Sequence, residues 1–204
     1  MIVCNPHNPV GRVWTKEELE TIANICIENN ITIISDEIYS DIMLWGNKHT
    51  PMASISEEIR KHTITCTSST KTFNLAGLQV ATVVFPNLDM KNQYDNILKK
   101  IETYRNNAFS IVANTVAFTE CKEWFVEATT YIEENIKYVV DYINNNIPQI
   151  KVSIPDSTYL LWLDCRDLNL SGDELVDFFV NKAQLALNDG RIFGEGGDGY
   201  MRIN

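Results

Sequence analysis

Side chains able to do chemistry fall into three clusters early in the 204-residue chain, at residues 5–11, 36–39 and 68–71. In the third, Ser68-Ser-Thr-Lys71 sets a hydroxyl three residues before an amine. One chemistry for that spacing is the S-x-x-K of a serine acyl-transferase, which also needs Ser-Asp-Asn and Lys-Thr-Gly elements. Lys71-Thr72-Phe73 is not the latter, and no Ser-Asp-Asn occurs. Another is an amine that condenses with an aldehyde. A solvated surface lysine is the third reading, and the apolar stretch Phe73-Asn-Leu-Ala-Gly-Leu78 argues against full exposure. Asp36 follows Ile31-Thr-Ile-Ile-Ser35 and so stands at the mouth of a buried strand. A carboxylate there is costly unless paired or hydrogen-bonded. A pyridinium nitrogen would supply a partner. So would the amides of a helix over residues 37–41, which Asp36 would cap.

Near the other end, Arg202 sits inside the short apolar strand predicted over Tyr200–Ile203. Its fork suits a carboxylate, either of a ligand or of a structural ion pair. Gly194-Glu-Gly196-Gly-Asp-Gly199 matches G-x-G-x-x-G, but a strand follows it, so no helix N-terminus is available for a pyrophosphate and it reads as a turn. His7, His49 and His62 lack metal-ligand spacing. Five widely spaced cysteines, an odd number without CxxC, indicate neither a disulfide framework nor a zinc knuckle.

The elements that must position these groups follow from periodicity. A strand over Ile2–Cys4 leads into a Pro- and Gly-rich loop at 5–11. Thr15-Lys-Glu-Glu18 is a capping box that opens a helix with Leu19, Ile22, Ala23 and Cys26 on one face, ending at Asn29-Asn30. Buried strands are predicted over 31–35, Thr63–Thr67 and 80–85, which gives an α/β fold with a parallel or mixed sheet. Beyond Pro86 the period becomes helical: Tyr94, Ile97, Leu98, Ile101 and Tyr104 share a face, a helix follows over 111–121, and a long one runs over 124–145. Strands at 152–154 and 159–164, a helix at 173–182 and the final strand complete the chain. The long helix reads as a domain connector, with domains at 1–120 and 121–204. In open α/β sheets ligands bind at the carboxyl ends of strands, which is where all three clusters fall.

A formal net charge of −10 excludes a phosphate-backbone binder and docking on anionic lipid, so neither nucleic acid nor membrane is an expected partner. Hydrophobic residues at 45% and charged residues at 22% are ordinary globular usage, and no apolar run is long enough to span a bilayer. The start shows no charged segment followed by an apolar one, so a cytoplasmic protein is expected. Because Met1 leads at once into a strand, the expectation is a C-terminal portion of a longer fold.

In order along the chain stand Asn5-Pro-His-Asn8-Pro-Val-Gly11, Ser35-Asp36-Glu-Ile-Tyr39, Ser68-Ser-Thr-Lys71-Thr-Phe-Asn-Leu-Ala-Gly77 and Tyr200-Met-Arg202-Ile-Asn204. This succession resembles the class I/II aminotransferase family, fold-type I enzymes of pyridoxal 5'-phosphate (PLP). Gly11-Arg-Val-Trp14 and Ala76-Gly-Leu-Gln79 look most like its cystathionine β-lyase, or carbon–sulfur lyase, branch.

The resemblance implies a partial PLP-binding large domain, with a mixed, mainly parallel sheet, followed by a small α+β C-terminal domain. It implies that Lys71 holds PLP covalently and acts as the catalytic amine. Asp36 would pair with the pyridine nitrogen, Asn8 and Tyr39 would hydrogen-bond the phenolic oxygen, and Ser68 would touch the phosphate. Arg202 would clamp the α-carboxylate of an amino-acid substrate, and the complete enzyme would be a homodimer. The expected reaction is β-lysis of a cystathionine-like thioether; transamination, or a non-catalytic truncated fragment, are the alternatives. Two positions depart from the family pattern. Gln79 stands where aminotransferases usually carry an arginine, and Tyr39 where lyases of this branch often have histidine.

Overall fold

The structure, a computed structural model, describes residues 1–103 and 105–204. Tyr104, assigned above to a helix face, lies outside the described residues.

The first layer set is built from β1 (Ile2–Cys4), α1 (Lys16–Glu28), β2 (Ile33–Asp36), α2 (Glu57–His62), β3 (Thr63–Thr67), the single turn α3 (Ser69–Thr72) and β4 (Thr82–Val84). The sheet order is β1-β2-β3-β4, with the first three strands parallel and β4 antiparallel to β3. The expected capping box is present: Glu18 N donates to Thr15 Oγ1 at 3.2 Å, and Thr15 N donates to Glu18 Oε2 at 2.9 Å. It starts α1 so that Leu19, Ala23 and Cys26 face the sheet and pack with Val3, Ile33, Met52 and Ile59. Side chains alternate across a strand, so Cys4, Ile34, Asp36 and Cys66 point to the other face. Ile2 is 69% exposed and Ile34 37% exposed on that side, so the described residues leave it open.

Three helices follow, α4 (Leu88–Lys100), α5 (Ala108–Glu120) and the 25-residue α6 (Lys122–Asn146). Next come β5 (Lys151–Val152), β6 (Leu161–Asp164), α7 (Gly172–Asp177), β7 (Asn188–Asp189) and β8 (Tyr200–Ile203). These strands form an antiparallel sheet in the order β5-β6-β8-β7. Ile136, Val140 and Ile143 of α6 pack on Leu161, Leu163 and Met201 of this sheet. Tyr39, Ile42 and Leu44 from the segment after β2 join the same core. Burying large side chains of the segment after β2 in the same cluster as α6 and the second sheet holds the two halves together.

Several boundaries move from those expected. β2 starts at Ile33, because Asn30 turns left-handed at φ 53° and Ile31 N donates back to Cys26 O at 2.7 Å, closing α1 instead of opening a strand. β4 is shortened to Thr82–Val84, since residues 76–78 wind as a 3-10 turn and Gln79 is left-handed. The helix expected over 173–182 stops at Asp177 and widens into a π turn over Phe178–Lys182. Residues 37–41 form hydrogen-bonded turns instead of a helix, with Ser40 N on Glu37 O and Ile42 N on Tyr39 O. α2, capped by the Ser56 hydroxyl on Ile59 N, carries no sequence periodicity long enough to have been foreseen.

Candidate active site

β3 ends at Thr67, and the next residue both caps and anchors the turn that carries the lysine. Ser68 Oγ accepts from Thr70 N at 3.1 Å and donates to Val80 O at 2.6 Å. The cap starts α3 and sets Lys71 just past the carboxyl end of β3. Thr72 Oγ1 donates to Asp41 Oδ2 at 2.8 Å, which ties this turn to the segment after β2. Lys71 is half-buried and lines two cavities. One, of about 320 Å³, it shares with Thr72, Phe125, Tyr159 and Asn204. The other, of about 290 Å³, it shares with Ser68, Thr70 and Gln79. Beside Lys71, the hydroxyl of Ser69 is fully buried and has no hydrogen-bond partner among the described residues.

Asp36 closes β2 directly between Cys4 and Cys66 of the neighbouring strands. Burial, and then the Asp36 carboxylate, push both thiols up from their ordinary range, so two neutral groups flank the acid. Asp36 Oδ1 accepts from Ile38 N at 3.3 Å, a turn contact in place of the expected helix cap. Tyr39, 5% exposed, meets the edge of Tyr159 with ring centroids 5.8 Å apart. Its phenol is held well above its usual range, first by burial and then by Tyr159, while the Arg202 charge opposes the shift. Tyr159 touches Tyr39 and lines the Lys71 cavity, so it joins the second and third clusters.

Arg202 reaches the site from β8. Its Nη1 donates to Asn8 Oδ1 at 2.8 Å and its Nη2 to Asn188 Oδ1 at 2.7 Å. The guanidinium lies 4.8 Å from the centroid of the Phe193 ring, and Nε is buried without a partner among the described residues. Both acceptors are neutral amides. Among the described residues no carboxylate pairs with Arg202, so the structural ion pair considered from sequence does not form. The loop that presents Asn8 is locked at Gly11, whose carbonyl accepts from Asp156 N and Ser157 N at 3.0 Å each. Gly11 has φ +69°, and a Cβ there would collide with Pro155 and stand 2.8 Å from Ser157 O.

The class I and II aminotransferase profile matches residues 1–204, the whole chain. The chain belongs to that family. Cystathionine beta-lyase PatB of Bacillus subtilis (strain 168) is 38% identical over 203 residues, which cover 100% of this chain and 52% of the relative. A PLP-bound structure from Clostridium difficile 630 superposes with a TM-score of 0.97 at 51% identity, covering 100% of this chain and 52% of that one. Cystalysin from Treponema denticola, whose structure contains PLP, gives a TM-score of 0.96 at 35% identity, with the same 100% and 52% coverage. The chain spans about half the length of the relatives it matches.

Within this aminotransferase-family fold, Asn8, Asp36, Tyr39, Ser68 and Lys71 all lie at or just beyond the carboxyl ends of parallel strands, and Arg202 comes in from the second sheet. Gln79 lines the same cavity as Ser68 and Lys71. Sequence reading overlooked Tyr159, Asn188 and the buried pair of Glu37 and His49. Tyr159 falls in a strand predicted over 159–164, and its aromatic type carries no further signal. His49 lacks metal-ligand spacing in the sequence, and its partner Glu37 comes within hydrogen-bond reach only in three dimensions.

Proposed function

We propose that this chain forms part of a PLP enzyme acting on amino acids, and that the full-length protein is a carbon–sulfur β-lyase of cystathionine-like thioethers. The observation that carries the reading is the guanidinium of Arg202, which among the described residues hydrogen-bonds to neutral amides and to no carboxylate, with Nε buried and unpartnered there. A guanidinium so placed calls for an anion, and the α-carboxylate of an amino acid fits its fork.

The residues present fit PLP. Lys71 would offer an amine for the aldehyde and Asp36 an acceptor for a protonated ring nitrogen, while Ser68, whose hydroxyl proton is already given to Val80 O, lies beside the cavity that Lys71 lines. Tyr39, kept protonated, can donate to the phenolic oxygen, and Asn8 can hydrogen-bond the same atom. The buried, unpartnered hydroxyl of Ser69 marks polar capacity left open next to the lysine. PLP supplies an electron sink for the pair left when the substrate α-proton is removed. The free amine of Lys71 Nζ would be the base for that proton. Asp36, with the raised thiols of Cys4 and Cys66 on either side, would be the residue that holds the ring nitrogen.

Support for the lyase comes from the B. subtilis relative and from Trp14 and Gln79, which look like the lyase branch. Tyr39, the usual residue of transaminases, favours the second reading, an aminotransferase. The two sheets on either side of residue 120 support large and small domains at 1–120 and 121–204. A homodimer working in the cytoplasm completes the reading; among the described residues no helix is long and apolar enough to cross a membrane. The deciding experiment incubates the full-length enzyme with cystathionine and no keto acid. Release of pyruvate, ammonia and a thiol is the expected result. Turnover only when a keto acid accepts the amino group would replace the lyase with an aminotransferase.

A further inference from the structure

Opposite the open face of the first sheet, a chain of hydrogen bonds joins the loop after β1 to the turn after β2. Trp14 N donates to Asn5 Oδ1 at 3.0 Å, which orients the Asn5 amide so that Nδ2 faces His49 Nδ1 at 3.5 Å. Nδ2 can only donate, so Nδ1 must be the acceptor and the ring proton sits on Nε2. His49 Nε2 then donates to Glu37 Oε2 at 2.9 Å. The other oxygen, Oε1, accepts from Ser35 Oγ at 2.9 Å and from Met52 N at 3.0 Å. With three donors on its two oxygens, Glu37 is a carboxylate and His49 a neutral imidazole with its proton on Nε2. The side chains of His49 and Glu37 are 7% and 3% exposed, and the links from Trp14 through Asn5 and His49 all run toward Glu37 in a buried setting.

Three residues after Asn5 stands Asn8, the partner of Arg202, and two after Glu37 stands Tyr39. We propose that Glu37 and His49 are positioning residues. Their one-way hydrogen-bond chain sets the Asn8 loop against the Tyr39 turn, and so places the groups that face the cofactor ring and the substrate carboxylate. The inference rests on the PLP reading above. It differs from plain core packing in one respect: it depends on which atom carries the proton. Glu37→Gln keeps the shape, but the new amide donates to His49 Nε2 and drives the proton to Nδ1, against the Asn5 amide. His49→Gln keeps both a donor for Glu37 and an acceptor for Asn5. His49→Leu keeps neither.

The test uses the full-length holoenzyme and its Glu37→Gln, His49→Gln and His49→Leu variants. It reads the visible circular dichroism of bound PLP, KM and kcat, and the nitrogen NMR of His49. The wild type is expected to show a neutral ring protonated at Nε2. Glu37→Gln is expected to alter the cofactor dichroism and raise KM between about threefold and tenfold. His49→Gln is expected to retain the wild-type spectrum and KM. If Glu37→Gln folds and matches the wild type in both, or if His49→Gln is as impaired as His49→Leu, the positioning role is wrong. Should His49→Leu fail to fold, Glu37→Gln and His49→Gln still decide. A wild type that takes up no PLP would overturn the underlying functional reading instead.

Discussion

Arg202 donates through Nη1 to the side-chain oxygen of Asn8 at 2.8 Å, across 194 residues of sequence. The contact ties the last strand of the second sheet to the loop that follows the first strand of the first.

Replacing Arg202 should separate substrate binding from cofactor binding. In the full-length enzyme, Arg202→Ala removes a charge-assisted pair worth about 1.5–3 kcal/mol, so KM for the amino acid should rise by roughly one to two orders of magnitude. PLP should remain bound. Arg202→Lys should recover little, because a point charge cannot reproduce the fork. Equal loss of substrate and cofactor, measured by steady-state kinetics and visible absorbance, would show that Arg202 only holds the two halves together.

Covalent attachment should map to one residue. Treating the full-length holoenzyme with borohydride and digesting it should give a peptide around Lys71 that carries the cofactor's added mass. Lys71→Ala should lose that peptide and all turnover. Label on another lysine would remove Lys71 from its proposed role.

Gly11→Ala should loosen the Asn8 loop. A side chain at φ +69° is strained, and this one meets the backbone of Ser157 and the ring of Pro155. A cost of about 1–3 kcal/mol is expected from the backbone conformation alone. Denaturant unfolding of the variant should show it as a lower midpoint. An unchanged midpoint would mean that the loop has room to shift.

Stability should fall on the alkaline side. Burial, with Asp164 behind it, pushes the Cys165 thiol up to about 12 from an ordinary value of 9.0. Cys4, Cys66 and Tyr39 are raised as well. Above the unfolded value the unfolded chain has given up these protons while the folded chain still holds them. Stability is therefore full below pH 9 and declines as pH rises from there towards 12. Urea midpoints collected across that range should fall, and Cys165→Ala should show a shallower fall. Identical slopes would assign the decline to other groups.

Much of the architecture was readable residue by residue. The capping box at Thr15 and Glu18, the apolar face of α1 and the long period of α6 are local patterns, and local hydrogen bonding and 3.6-residue periodicity are enough to realise them. The placement of Asp36 and Lys71 at strand ends was legible for the same reason: short apolar runs end where polar side chains begin. Ends of elements were less so. Ile31 has the composition of a strand residue, but the left-handed turn at Asn30 assigns it to the end of α1. Which partner each charged group would find was not legible at all. Arg202 was surrounded in sequence by possible acids and meets amides instead, and Glu37 pairs with a histidine twelve residues on. Tyr159, remote from Lys71 in the chain, shares its cavity. Such pairings depend on how the two sheets pack and on which polar atoms lose water together, and burial makes those contacts specific only once the tertiary structure exists.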